Sequence, residues 1–277
     1  MKTPIREQAA FTLVELLVVL ATLALLAVMI LPALARSSAQ PKSAACAANF
    51  RQWAVSANLY ANDYQDRLPS FDPYGGGSFG YDVGTGMCTN LGFYGLTVPT
   101  WFCPFRPNEL VAANTWANQK YGHPIQNINN LSAYFSANYP GELQLRCNYW
   151  VPRNPNGANP PIYIPTDYST KNPVAIPAWV KNASSTIYGW PKKLHDNSVA
   201  HVPFVSDVAA SGQSAGLNSP QPASYTVNNI APNTAHFVNG VLVGVNAAYA
   251  DGHVEAHSPS QMRPAYLTSS GVAYWFY

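Results

Sequence analysis

Residues 11–35 read FTLVELLVVLATLALLAVMILPALA, 25 residues with a single charge, Glu15. As a helix this run would be about 37 Å long at ~1.5 Å per residue. That exceeds the ~30 Å hydrocarbon core of a bilayer. The stretch is apolar on every side, which suits lipid better than a half-wet domain surface. The apolar run is too long for a secretory signal peptide, and a carboxylate stands near its start. The sequence therefore predicts a transmembrane helix over residues 11–35, with the lipid bilayer as a partner.

Glu15 is the informative residue within it. An acidic group inside a span costs about 3 kcal/mol on insertion scales, so it calls for a partner. Phe11 stands four residues earlier on the same helical face. A chain end created between Ala10 and Phe11 would place an ammonium there. Glu15 would then also lie in the first helical turn, where the macrodipole favours an anion.

These residues resemble a known family. Ala10 followed by Phe11-Thr12-Leu13-Val14-Glu15-Leu16-Leu17 looks like the cleavage and methylation site of type IV prepilins and type II secretion pseudopilins. The resemblance implies that residues 1–10 form a cytoplasmic leader removed by a prepilin peptidase. It implies N-methylation of Phe11, docking of subunits guided by Glu15, and a helix kink at Pro32. It also implies other pilin-like subunits and a membrane assembly machinery as partners. Orientation rests on this resemblance too, because Lys2 and Arg6 on one flank are matched by Arg36, Lys42 and Arg51 on the other. The expected placement is the bacterial cytoplasmic membrane, single-pass, N-terminus cytoplasmic and head outside.

Beyond the apolar run, Phe50, Trp53, Ala57, Tyr60 and Tyr64 recur at spacings of three and four, one stripe of an amphipathic helix. The helix is expected over residues 36–66 and ends before Pro69. Cys46-Ala47-Ala48-Asn49-Phe50-Arg51-Gln52, Tyr60-Ala61-Asn62-Asp63 and Cys103-Pro104 resemble one bacterial branch of the same family. Residues 67–277 are left as an α+β head.

In the head, residues 71–96 are glycine- and aromatic-rich and predict an irregular loop. Residues 152–177 are rich in proline and predict an extended connection. Short strands are expected at residues 186–190 and 202–206. Asn239-Gly240 and Asp251-Gly252 are two-residue turns of the positive-φ type. They predict an antiparallel meander with strands at residues 236–238, 241–250 and 253–257, Val254 and Ala256 on one face of the last strand. His236, Asp251, Gly252 and His253 also resemble the C-terminal processing-associated motif of that branch, with a longer interval between His236 and Asp251 than is usual there.

Composition narrows the function classes. Of 277 residues 48% are hydrophobic and only 10% charged, with a formal charge of +2. That charge gives no electrostatic reason to expect nucleic acid. Aromatics at 13% exclude global disorder. Gly212-Gln213-Ser214-Ala215-Gly216 matches a nucleophile-elbow string, but Pro220 follows too soon for the required helix. His253 and His257 are too far apart along a strand to share one zinc. Asp207 and Asp251 are candidates for calcium, yet no dense carboxylate run supports it. No cofactor and no metal is expected. Cys46, Cys88, Cys103 and Cys147 lack CxxC spacing; in an exported head they are candidates for disulfides, and Cys88 and Cys147, outside the family's positions, are candidates for pairing with each other.

The sequence thus predicts an α+β, pilin-like fold. A long N-terminal helix, transmembrane in its first half, carries a head built on an antiparallel sheet with long loops. The expected function is that of a non-enzymatic pilin-like subunit of a type II secretion pseudopilus or a type IV pilus-like filament. The alternatives are a membrane-anchored glycan-binding head and an anchored hydrolase.

Overall fold

A computed structural model describes residues 13–71, 81–137, 142–151, 191–196, 199–211, 230, 234–262, 264–267 and 273–275. The chain divides into two units, Met1–Pro41 and Lys42–Tyr277. The described residues form an α+β arrangement of helices and antiparallel sheets.

The first helix, α1, is Leu13–Asp63. Among the described residues no helix is long and apolar enough to cross a membrane. This corrects the expected fold, in which the N-terminal helix had a transmembrane first half over residues 11–35. It equally corrects the single-pass placement in the cytoplasmic membrane. The apolar side chains that are described run over residues 13–26. Glu15 stands in the first turn of the helix, where a carboxylate opposes burial in lipid. Side chains 27–39, Pro32 among them, lie outside the described residues.

Within the second unit, α1 buries the stripe its spacing predicts. Cys46, Phe50, Trp53, Ala57 and Tyr60 are buried, while Tyr64 is exposed and stacks on Tyr60 at 4.1 Å. The helix stops at Asp63, because Gln65 and Asp66 take left-handed φ values of 56° and 68°. Reversal there brings Leu68 into the core.

Three short helices follow. α2 is Met87–Phe93, with Met87, Cys88 and Leu91 buried. It replaces part of the irregular loop expected over residues 71–96: those three side chains fall on one face and outweigh the surrounding glycines. α3 is Pro107–Tyr121 and α4 is Ile128–Phe135. Pro107 supplies a preset φ at the start of α3 and Gly122 closes it with φ 76°. Asn127 caps α4 by accepting from the Asn130 amide at 2.9 Å.

The strands are β1 (Asp82–Gly84), β2 (Glu142–Gln144), β3 (Cys147–Tyr149), β4 (Val205–Asp207), β5 (Ala210–Ser211), β6 (His236–Val238), β7 (Val241–Ala248), β8 (Val254–His257), β9 (Pro264–Leu267) and β10 (Ala273–Trp275). β1 and β2 form a ribbon, and β5, β10 and β9 form a three-stranded sheet. The largest sheet runs β3-β4-β7-β6, with β8 also on β7. The β6–β7 turn has φ 51° at Asn239 and 78° at Gly240, the two positive values that an Asn-Gly hairpin turn needs. In β8, Val254 is half-buried, Ala256 is exposed and His257 is buried.

β7 is the central strand, and its glycine is a close-approach point. Gly244 has φ 141°, and a Cβ there would lie 2.1 Å from the His257 carbonyl oxygen. The β6–β7 register shifts between His236 and Phe237, opposite this residue. The bulge re-aims the start of β6, the usual use of such an irregularity. Trp53, Tyr149, Trp150, Phe204 and Tyr249 dominate the core between α1 and this sheet.

The expected strand at residues 186–190, the proline-rich connection at 152–177 and the Gly212–Gly216 string with Ser214 lie outside the described residues.

Candidate functional site

Four chain segments converge on one buried polar centre in the second unit. Cys46 extends the buried stripe of α1 by one turn before Phe50. Cys103 follows a 3-10 turn, Val98–Trp101. That turn is tied to α1 twice: the Trp53 indole donates to the Thr100 carbonyl at 3.1 Å, and the Asn49 amide to the Phe102 carbonyl at 3.1 Å. Asp207 ends β4 and His236 begins β6; both strands pair with β7, and the Ala235 N–H just before β6 donates to the Val208 carbonyl just after β4 at 2.6 Å.

The donor atoms of Cys46, Cys103, Asp207 and His236 all lie within 4.8 Å of one another. The two sulfurs are 3.9 Å apart. Cys46 Sγ is 3.6 Å from Asp207 Oδ2, and His236 Nε2 is 2.7 Å from the same oxygen. Despite that proximity Nε2 makes no hydrogen bond.

A surrounding layer fixes these groups. The Asn246 backbone N–H donates to Asp207 Oδ2 at 2.8 Å. Phe105 stacks on the His236 ring at 4.0 Å, 17° from parallel. Arg106 Nη1 is 4.0 Å from Asp207 Oδ1. Its other groups bind Glu109 Oε1 at 3.1 Å and the Arg146 carbonyl at 2.6 Å. Beside Cys46, Cys103 and Asp207 lies a cavity of about 20 Å³, room for one water-sized guest.

The electrostatics follow from burial against charge. Burial opposes ionisation of Asp207, but the His236 and Arg106 charges outweigh it and hold the carboxyl below its ordinary value. Burial likewise opposes a charged His236, and the Asp207 carboxylate overcomes it, raising the imidazole to about 9. The Cys46–Cys103 contact splits the thiols. It raises Cys46, with burial adding to the rise, and brings Cys103 down to about 6 against the effect of burial. Arg106 stays protonated: burial is outweighed by the negative charges around it.

The structure sorts the residues singled out in the sequence. Ala10 and Phe11 lie outside the described residues. Glu15 stands in the first turn of α1. All four cysteines are buried and none forms a disulfide, with Cys46 and Cys103 in the polar centre. The C-terminal motif separates into two places. His236 enters the centre, whereas Asp251, Gly252 and His253 form the exposed β7–β8 turn. There Asp251 Oδ1 accepts from the His253 backbone N–H at 3.1 Å, and the His253 ring stacks on Tyr249. Asp207 and Asp251 therefore do not share a calcium site, since one is buried beside His236 and the other stands on the turn.

Arg106 had no signal in the sequence beyond its place just after Cys103-Pro104. Asp207 stood out only as a carboxylate after a short strand. The convergence itself is a product of topology. No protein-family model, no curated protein and no solved structure matches the chain.

Proposed function

We propose that this chain is a non-enzymatic, pilin-like structural subunit that assembles into a type II secretion pseudopilus or a type IV pilus-like filament. One observation supports the reading above the others. The described side chains of residues 13–26 are exposed all around α1, from Leu13 at 77% to Leu25 at 63%. An apolar rod of this kind exceeds the few hundred Å² that monomeric proteins leave open. Helices of neighbouring subunits would cover it, burying apolar area at about 25 cal/mol per Å².

Glu15 refines the reading. It is the acidic residue in the first turn of α1, just downstream of the Ala10–Phe11 junction that resembles a prepilin cleavage site. Removal of residues 1–10 would leave an ammonium on Phe11 for Glu15 to pair with, in its own subunit or a neighbour. Pairing is what makes a carboxylate tolerable in an apolar bundle. The prepilin peptidase and a methyl donor would act in maturation, and the force for assembly would come from other components.

The test is intact mass and N-terminal sequencing of the chain purified from its own cells. The reading expects a chain that begins at Phe11 with one added methyl. A chain retaining Met1 would overturn it. Glu15→Ala should still be cleaved yet fail to enter filaments.

A further inference from the structure

We propose that Cys46, Cys103, Asp207 and His236 bind one zinc-class divalent cation that staples α1 to the central sheet. The inference rests on the second unit alone and stands or falls separately from the filament reading.

The donor set is the first argument. Two sulfurs, a carboxylate and an imidazole from four separate segments meet within 4.8 Å. All four residues are buried. Polar groups removed from water are costly unless satisfied, and a core has simpler ways to fill this volume. Thiolate with imidazole favours zinc among common divalent ions over calcium or magnesium. Four protein ligands leave no open position, the pattern of a structural site and not of a catalytic one.

Distances are the second argument. With zinc–sulfur bonds of about 2.3 Å and zinc–oxygen bonds of about 2.0 Å, a tetrahedron sets its sulfurs about 3.8 Å apart and sulfur from oxygen about 3.5 Å apart. The structure has 3.9 Å between Cys46 and Cys103 and 3.6 Å between Cys46 and Asp207. A disulfide needs about 2.05 Å between sulfurs, so the observed pair fits ligation better than a bond. The His236–Asp207 edge, at 2.7 Å, is tighter than the tetrahedral value of about 3.3 Å. A cation seated among the four opens it by well under 1 Å.

The third argument is the environment. His236 Nε2 is buried and makes no hydrogen bond; as the neutral imidazole it offers a lone pair to a cation at the centre. The Asn246 amide orients Asp207 and the Phe105 ring holds the imidazole, the outer-layer support that ligated sites carry. Two thiolates and one carboxylate around a dication leave one negative charge, and the Arg106 guanidinium lies beside it. The cavity of about 20 Å³ borders three of the four ligands. Ligation needs both sulfurs as thiolates and His236 as the neutral imidazole, so whatever protons these groups carry, that of the imidazolium included, are released to solvent, and no redox step is involved.

The test uses the full chain, reduced, stripped with a chelator and confirmed folded by its tryptophan fluorescence. Zinc should return to one ion per chain. Cobalt should give thiolate charge-transfer absorption and the d–d bands of a tetrahedral site. X-ray absorption should show two sulfur neighbours at about 2.3 Å and two lighter ones at about 2.0–2.1 Å. Cys103→Ser should lose affinity by about 100-fold or more, above the usual effect of an outer-layer change, while Cys88→Ala keeps the metal. If Cys103→Ser does not fold, the wild-type titration and spectra decide by themselves. Folded, reduced chain that takes up neither ion stoichiometrically would overturn the proposal. So would native chain that lacks metal and carries a mapped Cys46–Cys103 disulfide.

Discussion

The Trp53 indole N–H donates to the Thr100 carbonyl at 3.1 Å, and the same ring meets Trp101 edge-on at 4.6 Å. A helix face and a 3-10 turn far apart in sequence are thereby locked together, and Cys103 is delivered next to Cys46. The bond and the packing are separable. Trp53→Phe removes the donor, leaves the Thr100 carbonyl in need of a partner, and should cost about 1–3 kcal/mol. Trp53→Ala also opens a cavity and should cost about 3–5 kcal/mol. Urea unfolding of the full chain measures both. A Trp53→Phe midpoint equal to wild type would show that the bond contributes nothing.

Gly244 makes the arrival of His236 possible. At φ 141° and with the His257 carbonyl where a Cβ would stand, the position excludes a side chain. Gly244→Ala must shift β8 or the β6–β7 bulge and should cost roughly 2 kcal/mol or more in backbone strain alone. Gly240→Ala, with φ 78° but open space around it, should cost less. Thermal melts of the two variants give the comparison. Equal losses would mean that the close approach at Gly244 has no energetic weight.

Asn127 caps the start of α4. Its side chain accepts from the Asn130 amide at the start of α4. Asn127→Ala should cost about 1 kcal/mol, seen as a lower unfolding midpoint, and Asn127→Asp should recover it. Failure of Asp to recover stability would locate the effect elsewhere than in the cap.

What was legible follows from how local each signal is. Asn239-Gly240 and the alternation after it fix β6 and β7 because turn chemistry and strand period act within a few residues. The Phe50-Trp53-Ala57-Tyr60 stripe is legible for the same reason. α3 carried a start at Pro107 and a stop at Gly122, but its middle buries only Ala113 and Ala117, too little apolar contrast to show a period. Hydropathy over residues 11–35 predicts a membrane span, yet among the described residues no helix is long and apolar enough to cross one. The buried centre was illegible as a unit. Cys46 and His236 meet only because β6 folds onto β7 beside β4, and no spacing rule links residues brought together by sheet order.

His257 gives the pH prediction. Burial lowers its pKa, and the Glu255 carboxylate, 3.2 Å away, only partly offsets this. The folded pKa is thus depressed below the unfolded value of about 6.5. Above that pH both states hold a neutral ring, and its full contribution to stability is present. As pH falls through and below about 6.5, the unfolded chain takes up the proton first and stability declines. His257→Gln should flatten this part of the pH–stability curve relative to wild type. Parallel curves for the two proteins would refute it.

The exposed rod of α1 can be tested apart from the head. Leu20 is 58% exposed and belongs to the first unit, so a charge there should leave unfolding of Lys42–Tyr277 unchanged. In a packed array of helices the same charge would be buried without a partner, at a cost of about 3–5 kcal/mol. That corresponds to a loss of at least about 100-fold in subunit association. On the proposed filament reading, Leu20→Glu should therefore abolish filaments in electron micrographs and shift the chain to small species in sedimentation. Leu20→Met, similar in volume and apolar, should assemble as wild type does. Filaments formed by Leu20→Glu at wild-type yield would mean that this face is not the assembly surface.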